Sequence, residues 1–539
     1  MKKLYFIVII LFTLMLGSCM KINREYKLAI NENLKSKEIH DEYRVFYQIF
    51  IGSFSDSNKD GIGDLRGIIN RFDYINDGDD NSGKSLGIEA IWLSPMMPSN
   101  SYHKYDVKDY KAIDPSFGTL ADFKELLELA HSRNVKIIID LVVNHTSINH
   151  PWFMEYKKAY QNNDLNNKYR DYYTTVHKDD LELNKTYYPI FTGSDYYYEG
   201  NFSSQMPELN FDNKNVKEEI REIVKFWLDL GVDGFRLDAA KFIYYHETDR
   251  NVIFWEWFME MAKSYKEDVY VVGEVWSSER EILEYYKNFN NFDFAFAELD
   301  GYITQTARAI MSVDEYTDSV KKYLDKVASI NSEAIISPFI SNHDMDRAAG
   351  YLLLDDGLMF MAANLYILGP GNPYIYYGEE VGLKGFRGTA NTDANRRMKM
   401  PWGDKDKVKN PVGTSYDESL QINGTVKSQL KAKDSLYNHY KKLIQIRKAN
   451  PEIARGNYLP LKTEIFTVGG FISSYMGENV LVIHNTGVNQ KTINLKDYTD
   501  LDFNTIVGII GMGDANLKYE DGILVLDGLT SVIVRNLSS

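Results

Sequence analysis

The sequence runs to 539 residues, with 61 Lys and Arg against 76 Asp and Glu for a formal net charge of −15; 44% is hydrophobic and 14% aromatic. A chain this apolar is globular, and at roughly 100–200 residues per domain it suggests two to four domains, although a single α/β barrel can take about 250 residues or more by itself. The acidic balance excludes a nucleic-acid backbone or an anionic membrane surface as the main partner, because both are met with clustered Lys and Arg.

Lys2 and Lys3 precede an apolar stretch from Leu4 to Leu16, which reads as the basic and hydrophobic regions of a secretory signal. Its 13 residues are too few to cross a bilayer, which takes about 20. The sole cysteine closes the string Leu16-Gly17-Ser18-Cys19, which resembles the bacterial lipobox, where a cysteine is lipidated and becomes the new N-terminus. The expectation is a signal peptide over 1–19 with lipidation at Cys19, a polar tether over 20–40, and a protein exported and lipid-anchored to a bacterial membrane, at the periplasmic face or the cell surface. No disulfide can form in the mature chain.

From Val45 onward short apolar runs alternate with longer amphipathic ones, the pattern of βαβ units and a parallel sheet. Strands are predicted at Val45 to Phe50, Ile88 to Leu93, Val135 to Val143, Gly234 to Ala239, Val269 to Val275, Phe292 to Ala297, Ile335 to Ser341 and Pro373 to Tyr377. Helices are predicted between them, for instance Leu120 to Ser132 and Val216 to Leu230, where apolar residues recur at three- and four-residue spacing. Eight such units close a barrel. The predicted fold is therefore α/β: a (β/α)8 TIM barrel over 41–144 and 211–452. A small domain rich in Tyr, Asn and Asp is inserted after the third strand (145–210), and an antiparallel β-sandwich domain closes the chain (453–539).

Chemistry in such a barrel sits at the C-terminal ends of the strands. Three carboxylates end apolar runs there: Asp238 in Gly234-Phe235-Arg236-Leu237-Asp238, Glu274 in Val271-Val272-Gly273-Glu274, and Asp344 in Ser341-Asn342-His343-Asp344. Their separations of 36 and 70 residues approach one and two barrel units at about 31 residues each, which directs all three into one cavity. Acids gathered in a cleft raise each other's pKa and leave an acid beside a carboxylate, the pair that glycoside hydrolysis uses. Arg236, two residues before Asp238 and hence on the same strand face, supplies a cation that would keep Asp238 ionised.

The strings Asp140-Leu141-Val142-Val143-Asn144-His145, Gly234-Phe235-Arg236-Leu237-Asp238, Gly273-Glu274-Val275-Trp276 and Ile340-Ser341-Asn342-His343-Asp344 resemble, in order and spacing, the four signature regions of the α-amylase family of glycoside hydrolases. The resemblance spans about Tyr43 to Leu537. It implies Asp238 as the nucleophile, Glu274 as the general acid/base and Asp344 as the carboxylate that binds sugar hydroxyls and stabilises the transition state. It further implies that His145 and His343 bind sugar hydroxyls, that Tyr105 stacks on the same sugar, and that Lys241 contacts the leaving side.

Linkage is read from Ala239-Ala240-Lys241, which looks more like α-1,4-acting amylases than oligo-1,6-glucosidases, whereas Met206-Pro207-Glu208-Leu209-Asn210 falls between subgroups. The expected activity is a retaining, endo-acting α-amylase on starch or maltodextrins. The alternatives are an exo-acting α-glucosidase, an oligo-1,6-glucosidase or a trehalose-forming transglycosidase, and, from another class, a non-catalytic glycan-binding lipoprotein. Asp56-Ser57-Asn58-Lys59-Asp60-Gly61-Ile62-Gly63-Asp64 places oxygens as in an EF-hand loop, without its final Glu. It matches a calcium loop of several family members, so Asp56, Asn58, Asp60, Ile62 through its carbonyl, and Asp64 are expected to hold a structural Ca²⁺. Phe242 stands where many α-amylases carry a His whose backbone serves a second calcium, a departure that counts against that second ion.

Overall fold

The computed structural model describes residues 37, 39–354, 357–511 and 519–536. Cys19, the predicted signal over 1–19 and nearly all of the predicted tether lie outside the described residues. Among the described residues no helix is long and apolar enough to cross a membrane.

The first three strands are β1 (Phe46–Ile49), β2 (Ala90–Leu93) and β3 (Lys136–Leu141). Three short strands follow in the inserted segment, β4 (Thr175–His177), β5 (Tyr187–Pro189) and β6 (Tyr196–Glu199), forming an antiparallel sheet in the order β4-β6-β5. The barrel resumes with β7 (Gly234–Leu237), β8 (Tyr270–Gly273), β9 (Asn290–Asn291) and β10 (Tyr374–Tyr376). These pair in parallel in the order β10-β1-β2-β3-β7-β8-β9. Single parallel bridges from Phe292 to Ser337 and from Phe339 to Tyr374 carry the ring across its seventh place and close it.

Two predicted strands are corrected. Phe292 to Ala297 is not a strand: after the two-residue β9 the chain turns into a 3-10 helix at Phe294–Phe296. The cause is Asp293, drawn into the core by the Tyr286 hydroxyl at 2.7 Å and the Ser337 amide at 2.5 Å. Ile335 to Ser341 keeps only its two bridges, because Pro338 in its middle has no amide hydrogen to give a ladder. The helices follow their patterns more closely. Leu120–Ser132 starts on a Thr119/Asp122 capping box, and Lys214–Leu230 starts on Asn213 and ends at Gly231 with φ 110°.

Period-two alternation decides what faces the barrel axis. Phe46, Ala90, Ile138, Tyr270, Phe292 and Tyr374 form an apolar plug with Trp92, Val272 and Phe339. Two residues beyond Phe46, Ile138, Gly234 and Val272 come Gln48, Asp140, Arg236 and Glu274, which rise from that plug toward the C-terminal mouth. At Gly234 a Cβ would lie 1.8 Å from the Tyr270 carbonyl oxygen, so only glycine lets β7 and β8 approach as they do.

Among the described residues eight further strands follow: β11 (Asn457–Lys462), β12 (Val468–Tyr475), β13 (Glu478–Asn485), β14 (Lys491–Asn494), β15 (Thr505–Gly511), β16 (Tyr519–Glu520), β17 (Ile523–Leu526) and β18 (Thr530–Arg535). They make a five-stranded sheet, β11-β12-β13-β18-β15, and a three-stranded sheet, β14-β17-β16. Leu481, Ile483, Val532 and Val534 pack with Leu524 and Leu526 between the sheets, while Val480, Val482 and Ile533 turn to the barrel core.

Candidate active site

Arg236 is the centre of the site. It is 1% exposed, and its Nη1 donates to Asp140 Oδ1 at 2.7 Å and to Asp238 Oδ1 at 2.6 Å, while Nη2 lies 2.8 Å from Glu274 Oε2. One positive charge is thus shared among three carboxyl groups. Burial raises the pKa of Asp238 against the pull of Arg236, and it raises that of Glu274, with the charges of Asp238 and Asp344 adding to the effect. Arg236 alone does not offset the burial of Asp238. Asp140 is pushed up to about 8, by burial and by the charge of Asp238. Burial thus draws Asp140, Asp238 and Glu274 all toward the protonated form while Arg236 favours the charged one, so the three compete for a single guanidinium. The arrangement provides a proton donor and a nucleophilic oxygen side by side.

The loop geometry after β7 and β8 fixes that pair. The chain leaves β7 through Ala239 at φ 48°, an unusual conformation for a residue with a Cβ. Ala239 N donates to Glu274 Oε2 at 3.2 Å, and Glu274 N donates to Leu237 O at 3.0 Å.

Asp344 faces them from the loop after the seventh strand. Its Oδ2 is 3.0 Å from His343 Nε2 and its Oδ1 is 2.6 Å from Arg397 Nη2. Burial opposes its charge, but His343 and then Arg397 outweigh that and hold it well below the usual carboxylate range. His343 is buried; Gln48 Nε2 sits 2.7 Å from its Nδ1 and the Tyr105 hydroxyl 2.5 Å from its Nε2. The Tyr105 hydroxyl also donates to Asp140 Oδ2 at 3.2 Å, and its ring stacks on His343 at 5.7 Å and 4°. Tyr105 thereby joins the Asp344 side of the site to the Arg236 side.

His145 is buried beside Asn144 with its Nε2 unpartnered, and burial pulls its pKa down to about 4, so it offers a neutral imidazole. Lys241 lies at the rim, its Nζ donating to Trp276 O at 2.7 Å.

The loop from Asp56 to Asp64 stands apart. Asp56 accepts from the amides of Lys59 and Gly61, Asn58 from that of Asp60, Asp60 from that of Ile62, and Asp64 from those of Ser57 and Gly67. Its own backbone amides close this loop, and among the described residues no group of three or more His, Cys, Asp or Glu side chains converges as a metal cluster does.

Four participants carry no sequence forecast of their own. Asp140 lay within a quoted motif and ends the inward face of β3, and Gln48 follows Phe46 by the same two-residue step. Arg396 and Arg397, on the loop after β10, had no periodic or motif signal. Arg396 Nη1 donates to Asp344 O at 2.7 Å, and Arg397 Nη1 donates to the Tyr102 hydroxyl at 3.1 Å.

Residues 48–456 match the family model described as alpha amylase, catalytic domain. Alpha-amylase 3 of Dictyoglomus thermophilum is 37% identical over 495 residues, covering 91% of this chain and 93% of that protein. An oligo-1,6-glucosidase of Parageobacillus thermoglucosidasius is 30% identical over 84% of this chain and 92% of its own. The solved structure of Eubacterium rectale Amy13B superposes with a TM-score of 0.86 at 34% identity, covering 95% of this chain and all of that one, 100%.

Proposed function

The chain belongs to the α-amylase family of glycoside hydrolases, and from that premise we propose that it is a retaining, endo-acting α-amylase cleaving α-1,4-glucosidic bonds of starch or maltodextrins. The observation that carries the reading is the single buried guanidinium of Arg236 holding Asp238 and Glu274 together, with Asp344 ionised across from them. A retaining mechanism needs its two carboxyl groups close, about 5–5.5 Å apart, and two carboxylates on one guanidinium are held in that compact way.

In the proposed cycle Glu274, whose pKa burial raises, gives its proton to the leaving glycosidic oxygen. The carboxylate of Asp238 attacks the anomeric carbon, forming the glycosyl-enzyme ester as the C–O bond breaks. Glu274, now ionised, takes a proton from water, whose oxygen displaces Asp238 and restores both groups. Asp344, His343 and the neutral His145 hold the hydroxyls of the reacting sugar, and Tyr105 offers its ring to that sugar's face. Replacing Asp238 with Asn or Glu274 with Gln abolishes release of reducing ends from soluble starch on this reading; activity near that of the parent refutes it.

A second reading, an exo-acting α-glucosidase or oligo-1,6-glucosidase, is favoured by the glucosidase relative at 30% identity. Products separate the two. Glucose alone, or attack on isomaltose but not starch, removes the endo-amylase reading, and glycan binding without any cleavage revives the non-catalytic one. The proposal keeps a structural Ca²⁺ on the Asp56 to Asp64 loop. A carboxylate accepts about four hydrogen bonds, and Asp56 and Asp60 have each accepted two here. A lipid anchor at Cys19 would hold the enzyme at the periplasmic face or the cell surface, near its polymer.

A further inference from the structure

His343 is enclosed on every side. Its ring stacks on Tyr105 at 5.7 Å and 4° and on Phe50 at 6.5 Å and 30°, and it meets Trp92 edge-on at 5.7 Å and 81°. Packed in this way the ring cannot turn over, so each nitrogen keeps one set of neighbours. Nε2 faces Asp344 Oδ2 at 3.0 Å and the Tyr105 hydroxyl at 2.5 Å, while Nδ1 faces Gln48 Nε2 at 2.7 Å. Gln48 is itself buried on β1, paired with Trp92 of β2 on one side and Tyr376 of β10 on the other, so its side chain starts from a fixed point of the ring of strands.

These neighbours dictate where the imidazole hydrogen sits. An ionised carboxylate only accepts, and Arg397 helps to hold Asp344 ionised, so Nε2 carries a hydrogen. An amide nitrogen only donates, so the Nδ1 that faces Gln48 is bare. The surrounding charges agree. Burial draws the ring toward its neutral form, Asp344 pulls the other way, and Arg397 and Arg236 add to burial, with a net shift downward. Hydrogen bonds then run in one direction through the site, from Gln48 to His343, from His343 to Asp344 and the Tyr105 oxygen, and from Tyr105 to Asp140.

We propose that Gln48 is a positioning residue that keeps His343 neutral, with its hydrogen on Nε2, by setting an amide N–H where an imidazolium would need an acceptor. The consequence lies in the transition state. Glycoside cleavage builds positive charge at the anomeric carbon, and an imidazolium beside Asp344 would repel that charge and offset the carboxylate that steadies it. A neutral ring still donates from Nε2 to a sugar hydroxyl and leaves the charge of Asp344 to the sugar. The effect on rate rests on the α-amylase reading above; the position of the hydrogen rests on the geometry alone.

The test labels the histidine ring nitrogens of the full chain with ¹⁵N and reads them by NMR, His343 being told from the other histidines, 10 in all, by the signals lost in His343→Asn. A bare ring nitrogen resonates far from a protonated one, and couplings to the ring C–H protons distinguish Nδ1 from Nε2. The parent should show a bare Nδ1 and a protonated Nε2; two protonated nitrogens overturn the inference before any change at Gln48. In Gln48→Glu a carboxylate accepts from Nδ1, so both nitrogens should be protonated. Its kcat on starch near neutral pH should fall on the order of tenfold, more than KM changes, and the acidic limb of kcat should move to higher pH. Gln48→Met fills the space without a donor, and the Nδ1 signal should move further from the protonated range. An Nδ1 signal that stays in place in Gln48→Met overturns the role of Gln48, and so does an imidazolium in Gln48→Glu that leaves the parent's kinetics intact. The spectra need no substrate, so a parent that leaves starch uncut refutes the amylase reading and the rate effect with it, while the spectra decide the hydrogen's position by themselves.

Discussion

Replacing Asp140 with Asn probes how one positive charge is shared among the acids of the site. Asp140 is 1% exposed, takes Arg236 on one oxygen and Trp92 and Tyr105 on the other, and has its pKa pushed up to about 8 from an ordinary 3.8 by burial, with Asp238 adding. Between these values the folded chain keeps a proton that the unfolded chain releases. The native state then binds more protons, so stability falls as pH rises, by at most ~1.4 kcal/mol per pH unit, and levels off above the folded pKa. Asparagine has the same shape and no titration, so it removes that slope. It also turns an amide nitrogen toward Trp92 or Arg236, an offset of about 1–3 kcal/mol that does not vary with pH. The readout is therefore the pH dependence of the difference and not its absolute value. Urea midpoints of parent and Asp140→Asn at fixed ionic strength, taken between about pH 5 and about pH 8, should diverge in favour of the variant by a few kcal/mol across the window. Parallel curves would show Asp140 ionised throughout as a plain ion-pair partner of Arg236, which refutes the reasoning.

Two further outcomes follow from the same geometry. Arg397→Met removes a cation 2.6 Å from Asp344, so the Asp344 pKa rises and the acidic limb of the kcat/KM profile moves to higher pH, with kcat/KM at the optimum down on the order of tenfold; an acidic limb that stays in place refutes the role. If Ca²⁺ sits on the Asp56 to Asp64 loop, chelation lowers the melting temperature by a few degrees and added Ca²⁺ restores it, whereas identical melting curves with and without chelator remove the ion from the proposal.

Much of the barrel was legible because period two and strand composition agree: the strand cores at Phe46–Ile49, Ala90–Leu93 and Tyr270–Gly273 sit inside their predicted runs. The failures have local causes that composition hides. Phe292 to Ala297 is as apolar as a strand, yet it turns because Asp293 finds buried hydroxyl and amide donors on other elements. Pro338 sits in plain view within Ile335 to Ser341, but its effect depends on its being centred on the only two bridges of the seventh place. In the C-terminal domain β11, β14 and β16 carry little strand signal, the first because Pro460 and exposed polar residues blur its alternation and the others because they span four and two residues. At the site, residues within strand-end strings could be named, while Arg396 and Arg397 come from a loop whose position only tertiary packing determines.

Pro338 has a consequence for how this enzyme can change. Elsewhere in the ring a strand-end residue is placed by the ladder beneath it, and moving it means moving the sheet. At the seventh place that ladder has thinned to two bridges, and Asp344 is steadied instead from the side, by the two arginines of the loop after β10. The position of this carboxylate thus depends on a loop that is itself built into the core, with Arg397 5% exposed and Met398, Met400 and Trp402 packed in the main cluster, so exchanges there reach the site and the barrel together.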